Sequence, residues 1–179
     1  IETLDAVALV LKPDTNLHLL GVARPEAMDA FAARGVSSFD STSPFRQAFM
    51  DDRKNYHTGD DAYVAIRVPQ VDGNARLKRR ILAGEVNQSE AMRLEQECLH
   101  QLRSFDHGDT SVRAVLATLR AYESLIEPDK KTYLEGYEKM LNDAPWKQCS
   151  CSLCIRHGIE IAIFRGTERN KRRGFHNIA

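Results

Sequence analysis

The sequence lacks any long hydrophobic run. Nothing approaches the roughly 18 consecutive apolar residues that a membrane-spanning helix needs, and nothing at the start of the sequence resembles a secretory signal. No membrane role is expected. Net charge is missing too, because 25 basic side chains are balanced by 25 acidic ones. That balance argues against holding nucleic acid by bulk attraction and leaves only a local patch for the purpose. Cysteine is scarce, at four in 179 residues. That is too few for a disulfide scaffold, so a reducing cytoplasm is the expected setting. Internal repeats and low-complexity tracts are absent as well. With 42% hydrophobic residues, the chain can bury the core of one compact domain and is too apolar to be disordered. It opens on Ile1, inside a helical pattern, rather than on Met. The expectation is a piece of a longer protein.

What is there falls into three stretches. In residues 1–49, Leu4, Val7, Ala8 and Leu11 recur at helical spacing until Lys12-Pro13-Asp14 ends the pattern. His18–Val22 reads as a short buried strand, and Arg24-Pro25-Glu26 as a helix start, with Met28, Phe31 and Ala32 inward and Gly35 as its cap. Val36–Asp40 reads as a second strand, with Ser41–Pro44 as its exit loop. Helix and strand alternating at such short intervals is the grammar of an α/β parallel sheet or barrel. Residues 50–144 read as a mainly helical insertion. A strand is expected over Ala62–Val68, stopped by Pro69, with a turn at Asp72-Gly73-Asn74. Three helices follow. The first has an Asn87/Glu90 capping box and Leu94, Cys98, Leu99 and Leu102 inward. The second is capped at Asp109–Ser111, with Val112, Val115, Leu116 and Leu119 inward, and the third starts at Pro128.

Residues 145–179 carry the most specific local signal. Cys149, Cys151 and Cys154 place three thiols on a tight loop, and zinc needs four soft or borderline ligands in a tetrahedron. His157 and His176 are the candidates for the fourth place, in a closed structural site rather than an open catalytic one. The plain alternative is a set of reduced structural cysteines, and Cys98, on an apolar helix face, is a core residue. Alternating Ile159, Ile161 and Ile163 follow, and then a basic run. Arg165, Arg169, Lys171, Arg172 and Arg173 stand against Glu168 alone, a local excess of +4. Such a run is either a solvated helix face or a set of phosphate contacts. Asp40 closes a predicted strand. In parallel α/β folds the residues just past strand C-termini line the active site, and a carboxylate there can attack an anomeric carbon. An ordinary turn aspartate is the alternative.

Taken together, these stretches resemble a known family. Leu20-Gly21-Val22-Ala23-Arg24-Pro25, Gly35-Val36, Phe39-Asp40, Pro44, Arg46, the three cysteines and His176-Asn177-Ile178 resemble the C-terminal part of the guanine transglycosylase superfamily, whose best-known members are the tRNA-guanine transglycosylases. The resemblance implies an α/β fold, the C-terminal portion of a (β/α)8 TIM barrel with a helical insertion and a zinc-binding subdomain. It puts Asp40 in the place of the nucleophile, and Leu20 and Gly21 in the base-binding wall. Arg46 falls near the nucleic-acid backbone, and Cys149, Cys151, Cys154 and His176 fall on the zinc ligands. The implied reaction is base exchange. The carboxylate attacks C1′ of a guanosine nucleotide, guanine leaves, and a 7-deazaguanine displaces the enzyme from the sugar.

The long separation of Arg46 from Cys149 departs from the ordinary bacterial tRNA enzymes. So do Ser41-Thr42-Ser43 after Asp40 and the segment Arg169–Asn177. These features look closer to the branch that inserts 7-cyano-7-deazaguanine into DNA, with tRNA modification of the queuosine or archaeosine type as the alternative substrate. A zinc-stapled nucleic-acid-binding module without activity is the rival from another class. The family's second active-site carboxylate lies on earlier strands, so the chain by itself is expected to be inactive. A homodimer or partner proteins are open to it.

Overall fold

The computed structural model describes residues 1–22, 27–50, 54–58, 61–128 and 132–178. It is a mixed α/β structure in which helices pack around small two-stranded sheets. Among the described residues no helix is long and apolar enough to cross a membrane.

Helix α1 (Glu2–Ala8) carries Glu2 and Asp5 in its first turn and buries no residue. Strand β1 (Leu17–Leu19) pairs in parallel with β2 (Val36–Phe39), with a register irregularity between Leu17 and His18. A parallel pair needs a crossover, and α2 (Met28–Ala32) lies within it, burying Phe31. The helix start expected at Arg24-Pro25-Glu26 lies outside the described residues. The first strand is shorter than its apolar run because Gly21, at φ +71°, turns the chain away. Ser43 and Pro44, expected in a loop, instead open α3 (Ser43–Gln47). Proline fits the first turn of a helix, where its fixed φ is already helical.

The expected strand over 62–68 is split. Strand β3 (Tyr56–His57) pairs antiparallel with β4 (Ala62–Tyr63), while β5 (Ile66–Arg67) pairs in parallel with β6 (Ile163–Phe164). Between the two, the Ala65 amide donates to the Asn55 side chain at 2.7 Å, so the chain changes partners there. Helix α4 (Ala75–Leu82) was not expected. Asn74 caps it, its side-chain oxygen accepting from the amides of Arg76 and Leu77.

Helix α5 (Gln88–His107) and helix α6 (Val112–Ile126) follow the apolar periodicity. Leu94, Cys98, Leu99 and Leu102 are buried on one and Val115 and Leu119 on the other. Asn87 and Ser111 cap them through side-chain oxygens. Only half of the capping box forms, because the Glu90 carboxylate turns to Arg93. Helix α7 (Leu134–Asp143) begins six residues after Pro128 and buries Tyr137 and Met140. Then come α8 (Pro145–Gln148), α9 (Ser152–His157), a 3₁₀ turn at Gly158–Ile161, β6, and α10 (Gly166–His176). The 3₁₀ turn and β6 bury Ile159, Ile161 and Ile163 alike. One hydrophobic cluster runs from Tyr56 to Ile163, so the helical block and the cysteine segment share a core.

Candidate metal centre and nucleophile loop

Cys149 leaves α8, Cys151 caps α9, and Cys154 sits in its first turn. The Cys149 sulfur accepts from the Cys151 amide at 3.5 Å, and the Cys151 sulfur accepts from the Cys154 amide at 3.4 Å. His176, the last residue of α10, brings Nδ1 to 3.4 Å from the sulfurs of both Cys151 and Cys154. All four ligand atoms lie within 4.8 Å of one another. A tetrahedral ion held at about 2.3 Å by sulfur and about 2.0 Å by nitrogen sets ligand separations of roughly 3.5–3.8 Å. The four residues could therefore hold a metal ion once the wider separations close by up to about 1 Å. His157, the other histidine of the segment, is not in the group.

The surroundings suit that chemistry. His176 Nε2 lies 2.7 Å from the His57 carbonyl. A carbonyl only accepts, so Nε2 carries the proton and the Nδ1 lone pair faces the sulfurs. The Tyr56 ring stacks on the imidazole at 4.7 Å and 13°, and its hydroxyl lies 3.8 Å from the Cys154 sulfur. Burial and the neighbouring thiols push the Tyr56 hydroxyl well above its ordinary range, so it stays protonated. Burial pushes the Cys151 thiol up, but the Cys154 amide, His176 and the adjacent thiols outweigh it and hold it at about 6. Nothing in the sequence flags Tyr56 as a neighbour of the cysteines, since the partners are 98 residues apart.

Helix α10 is fixed from inside by Arg173, which is fully buried. Its guanidinium donates to the carbonyls of Ala48, Asn55, Ile161 and Ile163 and to the Asn170 side chain. Burial lowers its pKa to about 9, which still leaves it charged at neutral pH. The expectation that Arg173 contacts phosphate is corrected here, because its donors are engaged inside the protein. Arg173→Met leaves four carbonyls without their donor. The expected loss is about 3–5 kcal/mol, read as a lower midpoint in denaturant titration.

The same helix end grips the segment after Asp40. The Asn177 amide nitrogen donates to the carbonyls of Pro44 at 3.0 Å and Asn55 at 3.1 Å, and its oxygen accepts from the His57 amide. Phe45 of α3 meets Phe175 edge-on at 5.1 Å. A Cβ on Gly174 would lie 2.7 Å from the Phe45 ring, so only glycine permits this approach.

Asp40 follows β2 at the C-terminal end of the parallel pair and is exposed. Its Oδ1 accepts from the Gly21 amide at 2.6 Å, and its own amide donates to the Leu19 carbonyl at 3.0 Å. Leu20 is 77% exposed beside them. The structure thus brings together the three residues expected to serve as nucleophile and base wall. A cavity of about 860 Å³ is lined by Phe39 and Ser41, the neighbours of Asp40 in the chain, and by Cys149, Cys151 and His176, while Asp40 itself is not part of its lining.

No family model matches the chain. A curated protein named DNA-guanine transglycosylase, from Salmonella montevideo, is 46% identical to it over 181 residues. The match covers 99% of this chain, which spans 44% of the length of that transglycosylase.

The basic residues expected to face nucleic acid on the transglycosylase resemblance separate into kinds. Arg46, in the last turn of α3, is exposed. Arg169 is paired with Glu160 at 2.6 Å and is partly buried. Lys171 is exposed, 3.5 Å from Glu168, and Arg172 is half-buried. Arg165 is buried against Glu95 at 2.5 Å.

Proposed function

We propose that this chain is the part of a DNA-guanine transglycosylase that carries the nucleophile loop and a structural zinc site. Two parallel strands end in a carboxylate held by a backbone amide, in a chain matched along 99% of its length by a protein named DNA-guanine transglycosylase. The placement of Asp40 carries the reading. In this reading β1, α2 and β2 close a (β/α)8 barrel whose other strands lie elsewhere in the full-length protein.

Asp40 is the nucleophile. The Gly21 amide fixes one carboxylate oxygen and leaves the other to attack C1′ of a guanosine nucleotide, breaking the bond to the base. The target base must leave the stack to be reached. Two successive displacements at C1′ retain the configuration of the sugar, as in retaining glycosidases. Leu20 and Gly21 form part of the wall against which guanine leaves and a 7-deazaguanine, 7-cyano-7-deazaguanine in this proposal, enters. Arg46, with Lys171 and Arg172, faces the nucleic-acid backbone, while Arg169 is held by Glu160.

Zinc suits three thiolates and one imidazole, and four protein ligands leave it no open position, so it supplies a cross-link. The chain's own residues transmit that cross-link. His176 holds the end of α10, Asn177 holds Pro44 and His57, and Phe175 holds Phe45, four and five residues past the nucleophile.

The test offers labelled 7-cyano-7-deazaguanine to the full-length protein with duplex DNA and tRNA in parallel. Label is expected in DNA alone. Label in tRNA would keep the mechanism and overturn the substrate. Label in neither, with nucleic acid still bound, would favour the non-catalytic binding module.

A further inference from the structure

The +4 excess legible at residues 165–173 is largely engaged inside the protein. Arg165 and Arg173 are buried and Arg169 is paired. A second basic segment is placed differently. Helix α4, Ala-Arg-Leu-Lys-Arg-Arg-Ile-Leu, holds four cations and no acid in eight residues. One of the four, Arg80, anchors the helix. It pairs with Glu85 at 3.0 Å and donates to the carbonyls of Leu125 and Ile126 at the end of α6. Leu77, 1% exposed, seats the inner face, and Asn74 caps the start.

The other three, Arg76, Lys78 and Arg79, are exposed. Among the described residues none of them makes an ion pair. Of the acids nearest along the chain, Asp72 makes no ion pair with them among the described residues, and Glu85 and Glu90 are paired with Arg80 and Arg93. Arg76 and Arg79 stand three apart on one stripe of the helix. Cations in the last turn of a helix are explained by its dipole, but Arg76 and Lys78 lie in the first half, where the dipole disfavours them. A well-anchored helix therefore holds unpaired positive charge outward, on a chain whose total charge is zero.

We infer that the outer face of α4 is a contact for the DNA phosphate backbone, remote in sequence from the nucleophile loop and the metal centre. The inference rests on the reading of DNA as substrate. Phosphate contacts position a duplex without reading its sequence, and each one releases counterions and steepens the dependence of affinity on salt. Two arginine forks on one stripe suit phosphate oxygens better than lysines would.

The experiment measures affinity of the full-length protein for duplex DNA across a salt series, with no free base present. It compares Arg76→Gln/Arg79→Gln with a charge-matched control, Arg113→Gln/Arg120→Gln, on the exposed side of α6. All four positions are exposed, so both variants should keep the parental thermal midpoint. Removing two phosphate contacts should lower the salt slope by about 1.8 and weaken binding on the order of 30-fold near physiological salt. The α6 control should keep the parental slope. Equal slopes in the parent and the α4 variant would overturn the inference and leave DNA exchange standing, with α4 free to serve an acidic protein partner. An equal drop in both variants would also overturn it, since bulk charge would explain the effect. A parent that fails to bind duplex DNA at all would remove the substrate reading and this contact together.

Discussion

Cys154→Ala is expected to strip the metal and unfold the C-terminal segment. One equivalent of zinc per chain in the parent should fall to background in the variant, and a strong chelator should reproduce the loss. The magnitude follows from how the ligands are distributed. Cys149, Cys151 and Cys154 come from one loop, whereas His176 returns on α10 after the 3₁₀ turn and β6. Without an ion, three thiols and an imidazole have little reason to crowd within 4.8 Å. Structural zinc supplies an apparent ~10–16 kcal/mol in small zinc-binding peptides, as much as the whole stability of an ordinary domain, ~5–15 kcal/mol. The cysteine loop also packs on the shared core through Cys154 and Ile159, so the damage should spread beyond it. Elemental analysis gives the stoichiometry, and a thermal melt gives the stability. A chelated protein with an unchanged melt would show that α10 is held by Arg173 and Asn177 without the metal.

The parts legible in the sequence are those fixed by local chemistry. Helices α5 and α6 follow from apolar residues at helical spacing and from Asn87 and Ser111, whose side chains do cap them. The cysteine spacing announces a ligand loop, because three thiols so close together leave few other uses. The parts that were not legible depend on partners far along the chain. The run over 62–68 is apolar enough for one strand, but Tyr63 pairs with Tyr56 and Ile66 with Ile163, and two partners impose two strands. Arg173 reads as one more surface cation until Ala48, Asn55, Ile161 and Ile163 turn their carbonyls to it. Helix α4 is masked by its cations, which hide the pairing of Leu77 and Ile81 on its inner face. Asp40 stands between. Its place at a strand end is legible, but its bond to Gly21 needs the parallel pairing of two strands 19 residues apart.

Asp40→Asn has the largest expected effect on activity. The amide is nearly isosteric, and its oxygen can still accept from the Gly21 amide, so the loop keeps its shape and DNA binding should persist. What is lost is the negative oxygen that attacks C1′ in the proposed mechanism. Removing the nucleophile of a covalent mechanism costs on the order of 10⁴-fold or more, and exchange should fall accordingly. The measurement that tests the central claim most directly is mass spectrometry of the full-length protein incubated with guanine-containing duplex and no incoming base, then denatured. A protein–DNA adduct attached at Asp40 is expected in the parent, and none in Asp40→Asn. An adduct on another residue, or base exchange at the parental rate in Asp40→Asn, would contradict the assignment of Asp40 as the nucleophile.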